Sequence, residues 1–271
     1  MKYLAAAFAL CVLTACGGGN SAQQIGAGAS TSQNAGALYD AAKVPPGGVG
    51  DQIKYGRELL LHTRAHMKAY VTANMDCAAC HIDGGTKARG GSFAGTAAAF
   101  PQWNARAKRV IALQDRLAEC FLYSMNGRPP AYNSREMIAL ASYITYLSRG
   151  VKLGTKPDKS VVLASITLPH PDPKAGAQIY TQRCAACHGA SGAGNAVFPP
   201  LWGALSFNNG AGMHRLRTMA GFVRYNMPQN APGSLTDRQA VDVAAFVLSH
   251  TRPKFDRSRD VTFPPEAAEY F

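Results

Sequence analysis

Past residue 13, this 271-residue sequence has no apolar run approaching the roughly 20 residues of a membrane-spanning helix, which argues against a body embedded in the bilayer as helices. It is also short of acid. Only 16 Asp and Glu stand against 28 Lys and Arg, for a formal charge of +12, a surface that favours anionic small molecules or acidic protein partners. Cysteine is scarcer still: there are seven, and two of them, Cys11 and Cys16, fall at the extreme N-terminus.

That terminus reads as an export signal. Met1-Lys2 is a short basic start, and Tyr3 to Leu13 is an apolar run too short to span a bilayer. Leu13-Thr14-Ala15-Cys16 is similar to a bacterial lipobox, so residues 1–15 are expected to be removed and Cys16 to carry the lipid. Gly17 to Asn34, rich in Gly, Ser, Ala, Gln and Asn, cannot bury enough apolar surface to fold, and 16–48 is read as a flexible tether. The expected location is periplasmic, lipid-anchored to a membrane; ordinary cleavage near Ala15 would instead give a soluble periplasmic product. Export argues against nucleic acid as a partner despite the positive charge.

The pentapeptide Cys77-Ala-Ala-Cys80-His81 recurs as Cys184-Ala-Ala-Cys187-His188. C-x-x-C-H is the attachment motif for c-type haem: both thiols add to one porphyrin and the adjacent imidazole reaches its iron. A lone C-x-x-C could be a redox or zinc motif, but the following His, given twice, argues for two covalently bound haem c groups. Electron transfer is then the first function to consider.

The sequence around the two motifs repeats as well. In the second half, Pro173 to Arg183 has helical spacing, Phe198-Pro-Pro-Leu-Trp202 is a turn beside the haem, and Leu235 to His250 is an amphipathic closing helix begun near Thr236-Asp237. In the first half, Asp51 to Val71 reads as a long helix and Ser134 to Ser148 as a closing helix capped by Ser134. The expected fold is all-α, two tandem cytochrome c domains: 49–150 and 174–256, joined by a linker over 151–173 and followed by a tail over 257–271.

The repeat proposes the distal iron ligands. Met227 follows His188 by 39 positions, and 39 positions after His81 stands Cys120, the one cysteine left over. Thiolate at that place would give a low-potential His/Cys centre beside a His/Met centre of higher potential. Met125, His62 and His66 compete for the first iron; Met213, Met219 and His214 compete for the second. Positive charge and hydrogen-bond donors gather near Cys120: Arg106, Lys108, Arg109, Arg116, Ser124, Asn126 and Arg128. If Gln114 to Tyr123 is a helix, Arg116, Cys120 and Ser124 share one side of it, able to offer an oxyanion a guanidinium, a sulfur and a hydroxyl.

These stretches, with Gly90-Gly91-Ser-Phe-Ala-Gly95, Phe100-Pro-Gln-Trp-Asn104 with Arg106, and Arg116-Leu-Ala-Glu-Cys-Phe121 through Ser124-Met-Asn-Gly-Arg128, resemble the dihaem thiosulfate dehydrogenases of bacteria. The resemblance covers roughly residues 50 to 255. It implies a reversible coupling of two thiosulfates into tetrathionate with release of two electrons. It implies that Cys120 is the axial cysteine of the catalytic haem and the sulfur that takes up a thiosulfate-derived group. By the same resemblance, Arg106, Arg116 and Ser124 stand at substrate-binding positions and Met227 at the distal position of the electron-exporting haem. The expected acceptor is a soluble cytochrome c or a high-potential iron-sulfur protein. Some relatives carry a lysine just before this methionine; here the residue is Asn226. Two other readings stay open: a haem-thiolate A-type subunit of the sulfur-oxidising complex, and a membrane-tethered electron shuttle with no substrate of its own.

Overall fold

Gly47, at φ 77°, turns the chain into the first long helix, α1 (Gly48–Leu61), which buries Ile53, Leu59 and Leu60. The computed structural model describes residues 38–105, 107–163 and 166–256. Within these, the chain just before α1 is folded rather than free. Leu38 is buried, its carbonyl accepts from Arg149 Nη1, and the Asp40 carbonyl accepts from the Tyr146 hydroxyl, so the expected tether is packed from Leu38 onward. The signal, Cys16 and the tail over 257–271 lie outside the described residues.

The single helix expected from Asp51 to Val71 instead breaks at His62 and continues only as short turns, Thr63–His66 and Lys68–Tyr70. The cause is long-range. Thr63 is fully buried, and its Oγ1 donates to the Leu60 carbonyl and accepts from the Cys77 amide at 3.0 Å. Arg64 donates from its backbone to Asp76 Oδ1 at 2.8 Å and pairs with Asp76 Oδ2 at 3.1 Å. The break therefore exists to hold the residues entering the first haem motif.

A hairpin follows, β1 (Gln102–Asn104) against β2 (Arg109–Ile111), antiparallel with Trp103 opposite Val110; it is the only sheet among the described residues and a small departure from an all-α expectation. Helix α2 (Leu113–Glu119) is capped by Asp115, whose Oδ2 accepts from the Ala112 amide at 2.8 Å, and it widens into a π turn over Cys120–Ser124. Helix α3 (Arg135–Tyr146) begins where the sequence predicts, with Ser134 Oγ accepting from the Met137 amide at 3.2 Å, and buries Met137, Leu140 and Ile144. It crosses α1 so closely that a Cβ at Gly56 would overlap the Ala139 carbonyl.

The second half repeats this crossing. Helix α4 (Pro173–Arg183), capped by Asp172, meets α6 (Asp237–Ser249), where a Cβ at Gly176 would overlap the Asp242 carbonyl. Between them runs α5 (Leu216–Asn226), and α6 opens on a capping box formed by Thr236 and Gln239. Both halves contribute to one hydrophobic core, from Leu59 and Tyr143 on one side to Tyr180 and Val241 on the other. The seam is also hydrogen-bonded: the Asn74 amide donates to the Leu205 carbonyl, and Arg64 Nη2 to the Ala196 carbonyl. In the linker, the Val162 carbonyl accepts from Gly91 and Ser92, so the connection is docked on the first motif.

Candidate active site

Both motifs fold into the same local device. The amide of His81 donates to the Cys77 carbonyl and that of His188 to the Cys184 carbonyl, each at 3.0 Å, which brings two thiols and one imidazole together within a single turn. His81 Nδ1 bonds to the Gly91 carbonyl and the ring stacks on Phe93 at 4.1 Å between centroids. His188 Nδ1 bonds to the Pro199 carbonyl at 3.0 Å, with Phe198 edge-on to the ring. A carbonyl can only accept, so Nδ1 carries the proton in both rings and Nε2 keeps its lone pair for a metal. Burial pushes the His81 pKa down to about 4, against the pull of the Gly91 carbonyl, and burial lowers His188 in the same way. Gly91 sits at φ 68° with the Cys80 carbonyl against it, a place no side chain can share.

This donor set fits haem c. All five described cysteines are free thiols, two ahead of each neutral imidazole. Beside the second motif, Arg252 Nη1 donates to the Leu201 carbonyl, while Arg252 Nε and His214 Nδ1 are buried without a partner, an environment suited to an anionic group such as a propionate.

Cys120 is the first residue of the π turn, and Arg116 Nη1 lies 3.4 Å from its Sγ. The guanidinium is itself oriented by Glu119, whose Oε2 stands 3.4 Å from Arg116 Nη1 and whose Oε1 accepts from Asn104 Nδ2 at 3.1 Å. Burial pushes Cys77 up to about 12 and Cys80 to about 11, and negative charge on the Cys120 sulfur adds to both. The same charge is the main influence raising Arg116, and Arg116 in turn helps to lower His81. Cys120 and Arg116 are therefore close enough to the first motif to act on its thiols and imidazole electrostatically. With 47% of its side chain exposed, Arg116 can still be reached by a dissolved anion.

Ser124 closes the π turn in a half-buried position; Arg106 lies outside the described residues. Other members of the basic cluster have structural partners: Arg109 pairs with Asp115 at 3.1 Å, and Arg128 donates to the Ala69 carbonyl. Among the competing ligands, Met125 is packed in the core, while His62 and His66 are on the surface beside Glu58. Met227 directly follows α5 and is half-buried, whereas Met219 is buried within that helix. Sequence spacing does not mark Asn104 and Glu119 as an orienting pair; the signal it does carry is an acid directly before the orphan cysteine, Glu119-Cys120.

Two family models match the chain: "SoxA/TsdA, cytochrome c domain" over residues 64–153 and "Cytochrome C oxidase, cbb3-type, subunit III" over 171–247. A thiosulfate dehydrogenase of Allochromatium vinosum is 42% identical over 231 residues, covering 79% of this chain and 83% of that protein. The chain belongs to the thiosulfate dehydrogenase family. The family enzyme of Stutzerimonas stutzeri is 38% identical over 79% of this chain and 72% of its own length. Among solved structures, the thiosulfate dehydrogenase TsdBA of Marichromatium purpuratum superposes with a TM-score of 0.74 at 34% identity, covering 79% of this chain and 49% of that one. This thiosulfate dehydrogenase relative is thus an oxidoreductase built of two cytochrome c domains. No helix among the described residues is long and apolar enough to cross a membrane.

Proposed function

We propose that the protein couples two thiosulfate anions into tetrathionate, reversibly, at Cys120. The observation that carries this reading is the contact between Arg116 Nη1 and Cys120 Sγ at 3.4 Å, within electrostatic reach of Cys77, Cys80 and His81. Haem c held by Cys77, Cys80, His81 and Cys120, and a second held by Cys184, Cys187, His188 and Met227, would supply two one-electron acceptors, enough for one turnover.

The residues have separable tasks. Thiosulfate is a dianion, and two unit charges 4 Å apart repel by about 4 kcal/mol at an effective dielectric of 20. Arg116, with Arg106 and the Ser124 hydroxyl, offsets that repulsion by holding the sulfonate oxygens. The Cys120 thiolate bonds to the terminal sulfur of the first thiosulfate, giving Cys–S–S–SO3⁻ and releasing two electrons. The terminal sulfur of the second thiosulfate then attacks that same sulfur, breaks its bond to Cys120, and leaves as tetrathionate with the thiolate restored. Atoms and charge balance, and no proton is needed.

The same reading has Cys16 lipidated and the protein held at a periplasmic membrane surface. A soluble cytochrome c or high-potential iron-sulfur protein of acidic surface would take the electrons, drawn by the excess of Lys and Arg over Asp and Glu. The test is Cys120→Gly assayed with thiosulfate plus ferricyanide, and with tetrathionate plus a reduced dye. Both activities should vanish while both haems stay bound; retained turnover sinks the role of the sulfur.

A further inference from the structure

Asn226 ends α5 immediately before Met227 and is completely buried. Its Nδ2 donates twice: to the Phe222 carbonyl one turn back at 3.0 Å, and across the seam to the Arg89 carbonyl of the first half at 2.8 Å. Both neighbours are acceptors, so only the amide nitrogen can face them and the orientation is settled. The Oδ1 is left buried without a donor. That oxygen contributes nothing, so what the residue adds lies in Nδ2, above all in the bond across the seam.

What the bond holds is more telling. Arg89 has φ 64°, a left-handed conformation uncommon outside glycine, and its guanidinium lies over Tyr225, the residue before Asn226, at 4.5 Å. Two residues on is Gly91, whose carbonyl receives His81 Nδ1. A continuous path thus runs from Met227 through the Asn226 side chain and Arg89 to the imidazole of the first motif.

We propose that Asn226 is a positioning residue that couples the two haem sites, fixing from the second half the loop whose Gly91 carbonyl sets the hydrogen bond to His81. The proposal rests on haem being bound at both motifs, but not on what the enzyme oxidises. A firm bond from Nδ1 to the carbonyl makes the imidazole a stronger donor and favours ferric iron; a loosened one raises the potential.

The test is a potentiometric titration of holoprotein without any sulfur substrate, resolving the two haems spectroscopically, with both haems counted beforehand. Asn226→Leu keeps the branched shape, with somewhat bulkier methyl groups, and removes the Nδ2 donor. The potential of the His81-bound haem should shift upward, and the His81 Nδ1 proton should exchange faster in NMR, in a variant that still binds both haems. Asn226→Ser, too short to reach Arg89, should give the same shift and serves if the leucine variant loses haem. An unmoved potential and exchange rate in a variant with both haems bound overturns the proposal, whatever Cys120→Gly shows.

Discussion

Asn208, from the second half, lies against Leu122 in the first: its Nδ2 donates to the Leu122 carbonyl at 2.8 Å, inside the π turn that begins at Cys120. The Asn208 amide also donates to the Tyr123 carbonyl, and Nδ2 reaches Asn126 Oδ1 at 3.2 Å. A π turn leaves carbonyls that an ordinary helix would pair, and such turns recur at functional sites. Here the second half supplies the missing donors, so the turn that begins at Cys120 is completed across the seam.

Replacing Asn208 by alanine should accordingly cost about 1–3 kcal/mol, the penalty for a buried carbonyl left without its donor. Denaturant unfolding would measure the loss. The ferric absorption of the first haem should also change, because the turn carrying Cys120 is freed at one end; a stability loss with an unaltered spectrum would mean the cap does not position the sulfur.

Arg116 should govern substrate affinity through its fork as well as its charge. Removing a hydrogen bond to a charged partner costs about 1.5–3 kcal/mol, or roughly 10- to 100-fold in KM for Arg116→Gln. Arg116→Lys keeps the charge but not the planar pair of donors, and should recover only part of this. Steady-state kinetics with thiosulfate decides it, and equal KM values in all three proteins would remove Arg116 from the binding site.

Much of this architecture was legible because it is local or repeated. The caps at Ser134 and Thr236 sit beside the apolar spacing they start, and the duplicated C-x-x-C-H is plain in the sequence of both cytochrome c domains. What was hidden depends on partners far away in sequence. The helix break at His62 follows from Thr63 and Arg64 reaching Cys77 and Asp76, and no local propensity reports that. The pairing of Arg116 with Cys120 was readable from a spacing of four, but the widening of the helix after Glu119 was not. Asn208 and Asn226 act on partners 86 and 137 positions away, and in sequence they look like ordinary helix-end and loop asparagines.

Alkaline pH should loosen the loops behind both haem motifs. The Tyr143 hydroxyl donates to the Gly84 carbonyl at 2.8 Å and Tyr180 to the Gly189 carbonyl at 2.7 Å, and burial pushes both phenols up to about 12. Unfolded tyrosines titrate near 10, so between about pH 10 and 12 the folded state holds more protons than the unfolded chain. Stability should thus be intact below pH 10 and fall as pH rises through that window. Thermal unfolding of wild type and Tyr143→Phe checks this: the variant should start about 1 kcal/mol weaker at neutral pH and show a shallower alkaline decline. Identical slopes would remove Tyr143 from the effect.

The two glycine crossings offer a comparison between halves of one chain. Gly56 of α1 lies against the Ala139 carbonyl and Gly176 of α4 against the Asp242 carbonyl, and in both a Cβ would occupy space already filled by backbone. Backbone cannot rotate aside as a side chain can, so the helices themselves must separate. Alanine at either position should cost more than the usual 1–3 kcal/mol for overpacking, even though alanine is otherwise the better helix former. Because the halves share one core, Gly56→Ala should also reach the second half, lowering the protection of α6 amides in hydrogen exchange. A loss of protection confined to α1 and α3 would instead show two units that unfold separately despite the seam formed by Asn208 and Asn226.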